Sequence, residues 1–173
     1  AFEGRHGLFD NITGPFDLAP FPTEGGDFTL AQILFKYWPL ETNGQPAVWA
    51  AMELRDKLTP GDINNIKSIE IFCDELTRIE IGGEAEKWDP QTRETADHSL
   101  PYIFARTLVD GTISIASFEE DRVQDPSLRP LLNKITVTVD PAIEALLPDM
   151  KLAIIVTMQD GTVLEVENTN PPG

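Results

Sequence analysis

One of the two histidines in the chain lies in a setting suited to acid–base chemistry. His98 stands between Asp97 and Ser99, shortly before Pro101 and a strongly apolar run. Imidazole titrates near neutral pH, so His98 could act as a general acid or a general base. The competing interpretation is a helix-capping cluster, in which Asp97 or Ser99 accepts backbone N–H bonds and His98 is only a neighbour. Spacing alone favours the capping cluster.

A lysine in an apolar run is the second candidate. Lys36 interrupts the segment "FTLAQILFKYWP" (28–39), which we predict to be a strand or an extended segment that exposes this lysine. A lysine on an edge strand can simply prevent aggregation. It can also be a cation held against aromatic side chains, suited to binding a substrate carboxylate or to transferring a proton. Periodicity does not decide between these interpretations.

Charge and composition exclude several other classes of function. The chain has 29 acidic and 13 basic residues and a net charge of −16, which argues against nucleic acid or an anionic membrane as a partner. No apolar run approaches the length of a membrane span. No glycine-rich phosphate loop precedes a helix, so nucleotide binding is not expected.

Cysteine and histidine are too sparse to predict a metal site. Cys73 is the single cysteine, which excludes a disulfide framework and a thiolate cluster for an iron–sulfur centre or structural zinc. His6 and His98 are far apart in sequence, and no His-x-x-x-His or Cys-x-x-Cys pair is present. We therefore predict no metal and a reducing, cytoplasmic location.

The pattern of apolar residues predicts an α+β fold, with helices packed on one face of a mainly antiparallel sheet. Residues 1–27 are predicted to be an irregular lead-in, and the polar segment 82–99 a loop. Ser117, with Glu120 three residues later, matches a capping box that would begin a helix. The main predicted elements are helices at 44–58 and 100–108, strands at 66–76 and 135–140, and a C-terminal hairpin across Asp160-Gly161.

Three blocks of the sequence, in order, resemble one enzyme family. They are "KYWPLETNGQPAVWAAMELRDK" (36–57), "DPQTRETADHSLPYIFARTLVDG" (89–111) and "SFEEDRVQDPSLRPLLNKITVTVDP" (117–141). Together with the two ends, "AFEGRHGLF" and "DGTVLEVENTNPPG", they resemble the MmgE/PrpD family, whose members include 2-methylcitrate dehydratase and cis-aconitate decarboxylase. The resemblance spans nearly the whole chain.

This resemblance implies a two-domain enzyme in which a small α+β lid is inserted into a large helical domain. Residues 1–173 would form the lid alone, which agrees with a chain that lacks an initial methionine and stops at "NTNPPG". The implied enzyme is a cofactor-free hydro-lyase of propionate catabolism that acts on a tricarboxylate such as 2-methylcitrate. It would be a homodimer in its full-length form. The lid alone would be inactive, because part of the active site belongs to the helical domain.

The resemblance also assigns roles to individual residues. Lys36 matches the lysine of a Lys-x-x-Pro segment and would face the substrate carboxylates, and His98 lies in an Asp-His-Ser motif. These two are the predicted catalytic residues. Gln45 heads a helix where relatives have a polar residue, and Tyr102 has the aromatic position of a Pro-Tyr pair. Arg93 is added on charge alone, as one of the few cations that an acidic protein could offer a trianion. These three are the predicted substrate-binding residues.

Other functions remain open at this stage. Family membership does not fix the reaction, so a decarboxylase or an epimerase on the same scaffold is an alternative. The decarboxylases of the family have an aromatic residue near the position of Arg78, and this chain does not, which disfavours decarboxylation. An alternative of a different class is a non-catalytic interaction module that binds only its own helical domain or a dimer partner.

Overall fold

A computed structural model of the chain describes residues 4, 7–17, 33, 35–59 and 61–172. The chain divides into two compact units, residues 1–34 and 35–173. In the first unit, Phe9–Thr13 forms a π-helical turn that ends at Gly14, and the rings of Phe9 and Phe16 meet edge to face with centroids 5.0 Å apart. This turn lies within the predicted irregular lead-in, of which residues 18–27 are outside the described residues.

The second unit contains seven described α-helical segments, two of which are longer than five residues. The long helices correspond to the two predicted from apolar periodicity and from a proline in the first turn. The segments are α1 Gln45–Asp56, α2 Glu75–Thr77, α3 Arg93–Asp97, α4 Leu100–Asp110, α5 Glu120–Val123, α6 Arg129–Leu132 and α7 Pro141–Glu144. Shorter turns join them: 3-10 turns at Thr42–Gly44, Asp62–Asn65, Ala85–Trp88, Ile115–Phe118 and Pro126–Leu128, and a π-helical turn at Arg78–Gly82.

Four strands form one mixed sheet in the order β2-β1-β3-β4. They are β1 Ile66–Cys73, β2 Ile135–Val139, β3 Lys151–Met158 and β4 Val163–Thr169. The β1–β3 and β3–β4 pairs are antiparallel, while β1 and β2 run parallel. The predicted α+β class, the mainly antiparallel sheet and the C-terminal hairpin are therefore confirmed.

Period-2 alternation determines which face of the sheet is buried. Ile69 and Ile71 of β1 lie opposite Val156 and Ile154 of β3, and all four side chains are at most 1% exposed. On the other face, the β1 residue Glu70 is exposed to solvent. The buried face packs against the helical layer, where α1 contacts α4 and both strands of the hairpin, β3 and β4.

The two ends of α4 form as the sequence predicts. The Ser99 hydroxyl accepts the backbone N–H of Tyr102 at 3.1 Å, and Pro101 occupies the first turn. At the C-terminus, Gly111 adopts φ +80°, a left-handed conformation that favours glycine, and its N–H bonds to the carbonyl of Thr107. Thus Ser99, rather than Asp97, is the capping residue of the predicted cluster.

Two local predictions differ from the structure, and one predicted alternative is excluded. The described part of the 28–39 segment, residues 33 and 35–39, is not in a strand, which leaves the alternative of an extended segment. The predicted loop 82–99 contains α3 and a 3-10 turn, whose polar outer faces give no apolar period. Ser117 does not begin a helix: its hydroxyl accepts the backbone N–H of Ser114 at 3.0 Å and so closes the preceding 3-10 turn.

In the part of the chain that the structure describes, no helix is both long enough and apolar enough to span a bilayer.

Candidate functional site

A surface groove of about 780 Å³ brings the two predicted catalytic residues together. One wall is the segment 36–41, which leads into α1. The opposite side consists of the α3–α4 junction at Asp97 and His98 and of the turn 113–116. Lys36 and His98, which are 62 positions apart in sequence, therefore line one concave surface. Such a surface can bind a small molecule through a cation, an imidazole and apolar walls.

Aromatic side chains support the Lys36 wall. Tyr37, Trp38 and the α1 residue Trp49 form a cluster in which all three ring pairs have centroids 4.8–5.6 Å apart. Tyr37 is 59% exposed, so the cluster is open to solvent on one side. Lys36 is exposed as well, and no carboxylate of the described residues forms an ion pair with it. Its charge is therefore available to an anion.

Gln45 attaches this wall to α1. Its side chain is 4% exposed, and it makes two hydrogen bonds to one residue seven positions earlier. Its Oε1 accepts the backbone N–H of Trp38 at 3.0 Å, and its Nε2 donates to the Trp38 carbonyl at 3.0 Å. Gln45 thus bonds through both ends of its amide to the backbone of the groove wall. Direct contact of Gln45 with substrate stays a prediction.

His98 occupies the short junction between α3 and α4. Its side chain is 48% exposed, and its Nδ1 lies 2.5 Å from Oδ1 of Asp97, whose side chain is 23% exposed. The carbonyl of Asp97 accepts the backbone N–H of Glu41 from the opposite wall at 3.1 Å. An imidazole paired with a carboxylate, in the same groove as the exposed ammonium group of Lys36, can both transfer a proton and bind an anionic substrate.

Tyr102 lies inside the protein. It is fully buried, its hydroxyl donates to the Ser117 carbonyl at 2.6 Å, and the guanidinium of Arg106 is 5.8 Å from its ring centroid. Burial raises the pKa of its phenol. The structure gives Tyr102 a place between α4 and the 3-10 turn at 115–118, outside the groove lining. Its predicted contact with substrate stays a prediction.

The remaining predicted residues lie away from the groove. Arg93 begins α3, is exposed and does not line the groove. Arg78, at the position that disfavours decarboxylase chemistry, forms an ion pair with Glu75 at 2.9 Å. This pairing raises the pKa of Arg78 and lowers that of Glu75.

Several groove residues had no signal in the sequence that we interpreted as a site. Glu41 and the turn 113–116 line the groove because of long-range packing, which local spacing does not encode. Asp97 does have a signal in the sequence, because a carboxylate next to a histidine suits acid–base chemistry as well as helix capping.

The described residues offer no arrangement suited to a metal ion. No three His, Cys, Asp or Glu side chains among them are close enough to hold one. Cys73 is buried in β1, and loss of hydration raises the pKa of its thiol to about 12, so it is a poor candidate for a thiolate ligand.

Comparison with known proteins finds a matching family model and several similar enzymes. Residues 38–173 match the model of the MmgE/PrpD C-terminal domain. The chain is 31% identical over 148 residues to 2-methylcitrate dehydratase of Cupriavidus necator, covering 81% of this chain and 30% of that protein. It is 27% identical over 174 residues to the mitochondrial 2-methylcitrate dehydratase of Yarrowia lipolytica, covering 96% of this chain and 33% of that protein.

A relative with a different named reaction matches a shorter stretch. Cis-aconitate decarboxylase of Mus musculus is 32% identical over 73 residues, which is 42% of this chain and 15% of that protein. The chain thus spans about a third of the length of the dehydratases it matches. Since the family model covers most of the sequence, from the groove wall at Trp38 to the C-terminal strands, the chain belongs to the MmgE/PrpD family and corresponds to its C-terminal domain.

Proposed function

We propose that this chain is the lid domain of a hydro-lyase that removes water from a tricarboxylate such as 2-methylcitrate. The observation that supports the proposal is the groove that brings Lys36 and His98 together, in a domain whose relatives are named 2-methylcitrate dehydratases. The lid would supply part of the active site, and the helical domain of the full-length protein would supply the rest. The chain alone would then be inactive.

The chemistry of dehydration matches these two side chains. A base must take a proton from the carbon next to a carboxylate, the electron pair forms the C=C bond, and the hydroxyl leaves as water. Lys36 would bind a substrate carboxylate and offset the charge that develops in the transition state. His98 would transfer a proton. The residues of the chain supply both roles without a cofactor, and we propose a cofactor-free reaction.

The chain has a net charge of −16, so a positive side chain near the substrate must outweigh the repulsion of an anionic substrate. The long-range field of such an acidic protein repels a trianion. Lys36 would provide the attraction at short range, where screening by salt acts least. Arg93 would add to the attraction of the substrate only if the substrate or the helical domain extends to the N-terminus of α3.

The wider setting is part of the same proposal. We place the full-length enzyme in the cytoplasm, as a homodimer that acts in propionate catabolism on a small molecule rather than on nucleic acid. The free Cys73 supports a reducing compartment, the acidic composition argues against nucleic acid, and the names of the dehydratase relatives support a small-molecule substrate.

A second candidate is decarboxylation of a related tricarboxylate, which is favoured by the match to cis-aconitate decarboxylase. Both candidates are tested by incubating the full-length protein with 2-methylcitrate, citrate and cis-aconitate. Alkene formation and carbon dioxide release are then measured separately. Alkene formation supports dehydration, and carbon dioxide release supports the second candidate. If none of the three tricarboxylates reacts, both proposals fail.

Variants test the two side chains. Lys36→Ala and His98→Ala should each lower kcat/KM at least about 10²-fold, which is the usual size of general acid–base and electrostatic contributions. Lys67→Ala is the matched control, because Lys67 is an exposed lysine on β1 outside the groove. Wild-type rates in the Lys36 and His98 variants would show that these residues have no catalytic role.

A further inference from the structure

The hydrogen bond between Asp97 and His98 fixes where the imidazole proton is. An ionised carboxylate only accepts hydrogen bonds, so the 2.5 Å contact between Asp97 Oδ1 and His98 Nδ1 requires a proton on Nδ1. In the neutral ring the other nitrogen, Nε2, is then an acceptor with a free lone pair. Within the described ranges of the chain, the His98 side chain has no partner other than Asp97.

The backbone around this pair is held on three sides. Asp97 is the last residue of α3, and its carbonyl accepts the N–H of Glu41 from the other groove wall. On the C-terminal side, Ser99 caps α4, and its hydroxyl donates a short hydrogen bond to the Lys87 carbonyl. The flanking helices hold the backbone of His98 in place. The orientation of its ring then depends mainly on the side-chain contact with Asp97.

The exposures of the two side chains favour an outward imidazole with an enclosed partner. Asp97 is 23% exposed and His98 is 48% exposed, and both line the groove. A carboxylate that is less exposed than the ring it contacts can fix the ring, while the free nitrogen remains accessible to a ligand.

We propose that Asp97 is a positioning residue that keeps the proton of His98 on Nδ1 and thereby makes Nε2 the proton acceptor of the reaction. The catalytic part of this inference rests on the proposed function. When the C–H bond next to the carboxylate breaks, its proton goes to Nε2 and the electron pair forms the C=C bond. The hydroxyl leaves as water with a proton from solvent, and the imidazolium, stabilised by ionised Asp97, later returns its proton to water.

The test has a spectroscopic arm that does not depend on activity. In full-length protein labelled with ¹⁵N-histidine, at alkaline pH where imidazole is neutral, the His98 resonances are assigned by their loss in His98→Gln. We expect Nδ1 to have the chemical shift of a protonated nitrogen and Nε2 that of an unprotonated one. The opposite assignment in the wild-type protein would overturn the inference, whatever the enzyme does.

Asp97→Asn is the matched perturbation. An amide side chain can donate to Nδ1, so the proton should move to Nε2, and the wrong tautomer should lower kcat by about 10²- to 10⁴-fold with a small change in KM. Glu94→Gln is the control, since it removes an exposed carboxylate from the same helix. Its tautomer and kcat should equal those of the wild-type protein.

The outcomes separate the two proposals. If Asp97→Asn reverses the tautomer but leaves kcat unchanged on an active enzyme, the catalytic part is overturned. If the tautomer is as expected but no tricarboxylate reacts, the proposed function fails and the structural role of Asp97 stands. If Asp97→Asn does not fold, the wild-type spectrum still decides the tautomer.

Discussion

Replacement of Gln45 by methionine tests whether one side chain holds the groove wall in place. Gln45→Met keeps a long, flexible side chain that fits a helix and removes both hydrogen bonds to the Trp38 backbone. Each such bond contributes about 0.5–1.5 kcal/mol net, so two account for roughly 1–3 kcal/mol. The penalty for two unpaired backbone groups would be larger if they stayed dry.

Partial exposure limits this penalty. Both bonds are only partly buried, so the segment around Trp38 can move out to water instead of leaving its polar groups unpaired. We therefore expect the free energy of unfolding to fall by about 1–3 kcal/mol. Local hydrogen exchange at the Trp38 amide should rise more strongly than exchange in β3. If Lys36 binds substrate, KM should also rise, because its segment is no longer attached to α1.

The assay combines urea denaturation, followed by tryptophan fluorescence, with amide exchange measured by NMR. Gln124→Met is the control, since Gln124 is exposed and its side-chain hydrogen bonds are 3.3–3.4 Å long. Its free energy of unfolding should change by less than about 0.5 kcal/mol, as for other surface substitutions. Equal urea midpoints and equal Trp38 exchange in Gln45→Met and the wild-type protein would refute the reasoning.

Two further predictions concern α4 and its surroundings. Gly111→Ala should lower the free energy of unfolding by at least about 1–2 kcal/mol, measured by urea denaturation. The reasons are that Gly111 has φ +80° and that the new Cβ would lie 2.9 Å from Arg55 Nε. An unchanged urea midpoint would contradict this prediction. Hydrogen bonds from Ser127, and to a smaller extent from Arg106, lower the pKa of Asp125 from its usual 3.8 to about 2. Between these two pH values the unfolded state binds more protons than the folded state. The free energy of unfolding therefore decreases as the pH falls from 3.8 to about 2. Ser127→Ala removes the hydroxyl hydrogen bond and keeps the one from the backbone N–H. It should therefore raise the pKa of Asp125, measured by NMR titration, and narrow the pH range over which stability is lost; an unchanged pKa would show that the Ser127 hydroxyl is not a cause.

Local patterns predicted most of the regular elements correctly. Pro101 and Gly111 bracket α4 because both residues have strong backbone preferences that tertiary contacts need not supply. Asp160-Gly161 likewise predicted the hairpin, and Gly161 has φ +89°. Where one residue determines the local backbone, sequence is enough.

Long-range contacts account for what the sequence did not reveal. The pairing of Gln45 with Trp38 needs the chain to turn back through residues 39–44, and no spacing rule indicates it. The side chain of Ser117 can close the turn before it or cap a helix after it. In the structure it closes the earlier turn, at Ile115–Phe118. For His98, the sequence contained the Asp97 partner but not the groove that makes the pair accessible.

The parallel pairing of β1 with β2 has a consequence for the order of folding. The two strands are separated by residues 74–134, whereas β3 and β4 are joined by residues 159–162. Closing the longer connection costs roughly 2 kcal/mol more chain entropy, so the hairpin should form early and the β1–β2 pair late. One side of the groove, at residues 97–98 and 113–116, lies on that long connection, and the other side precedes β1. The groove is therefore expected to form late in folding, and a ligand that contacts both of its sides would stabilise the completed fold.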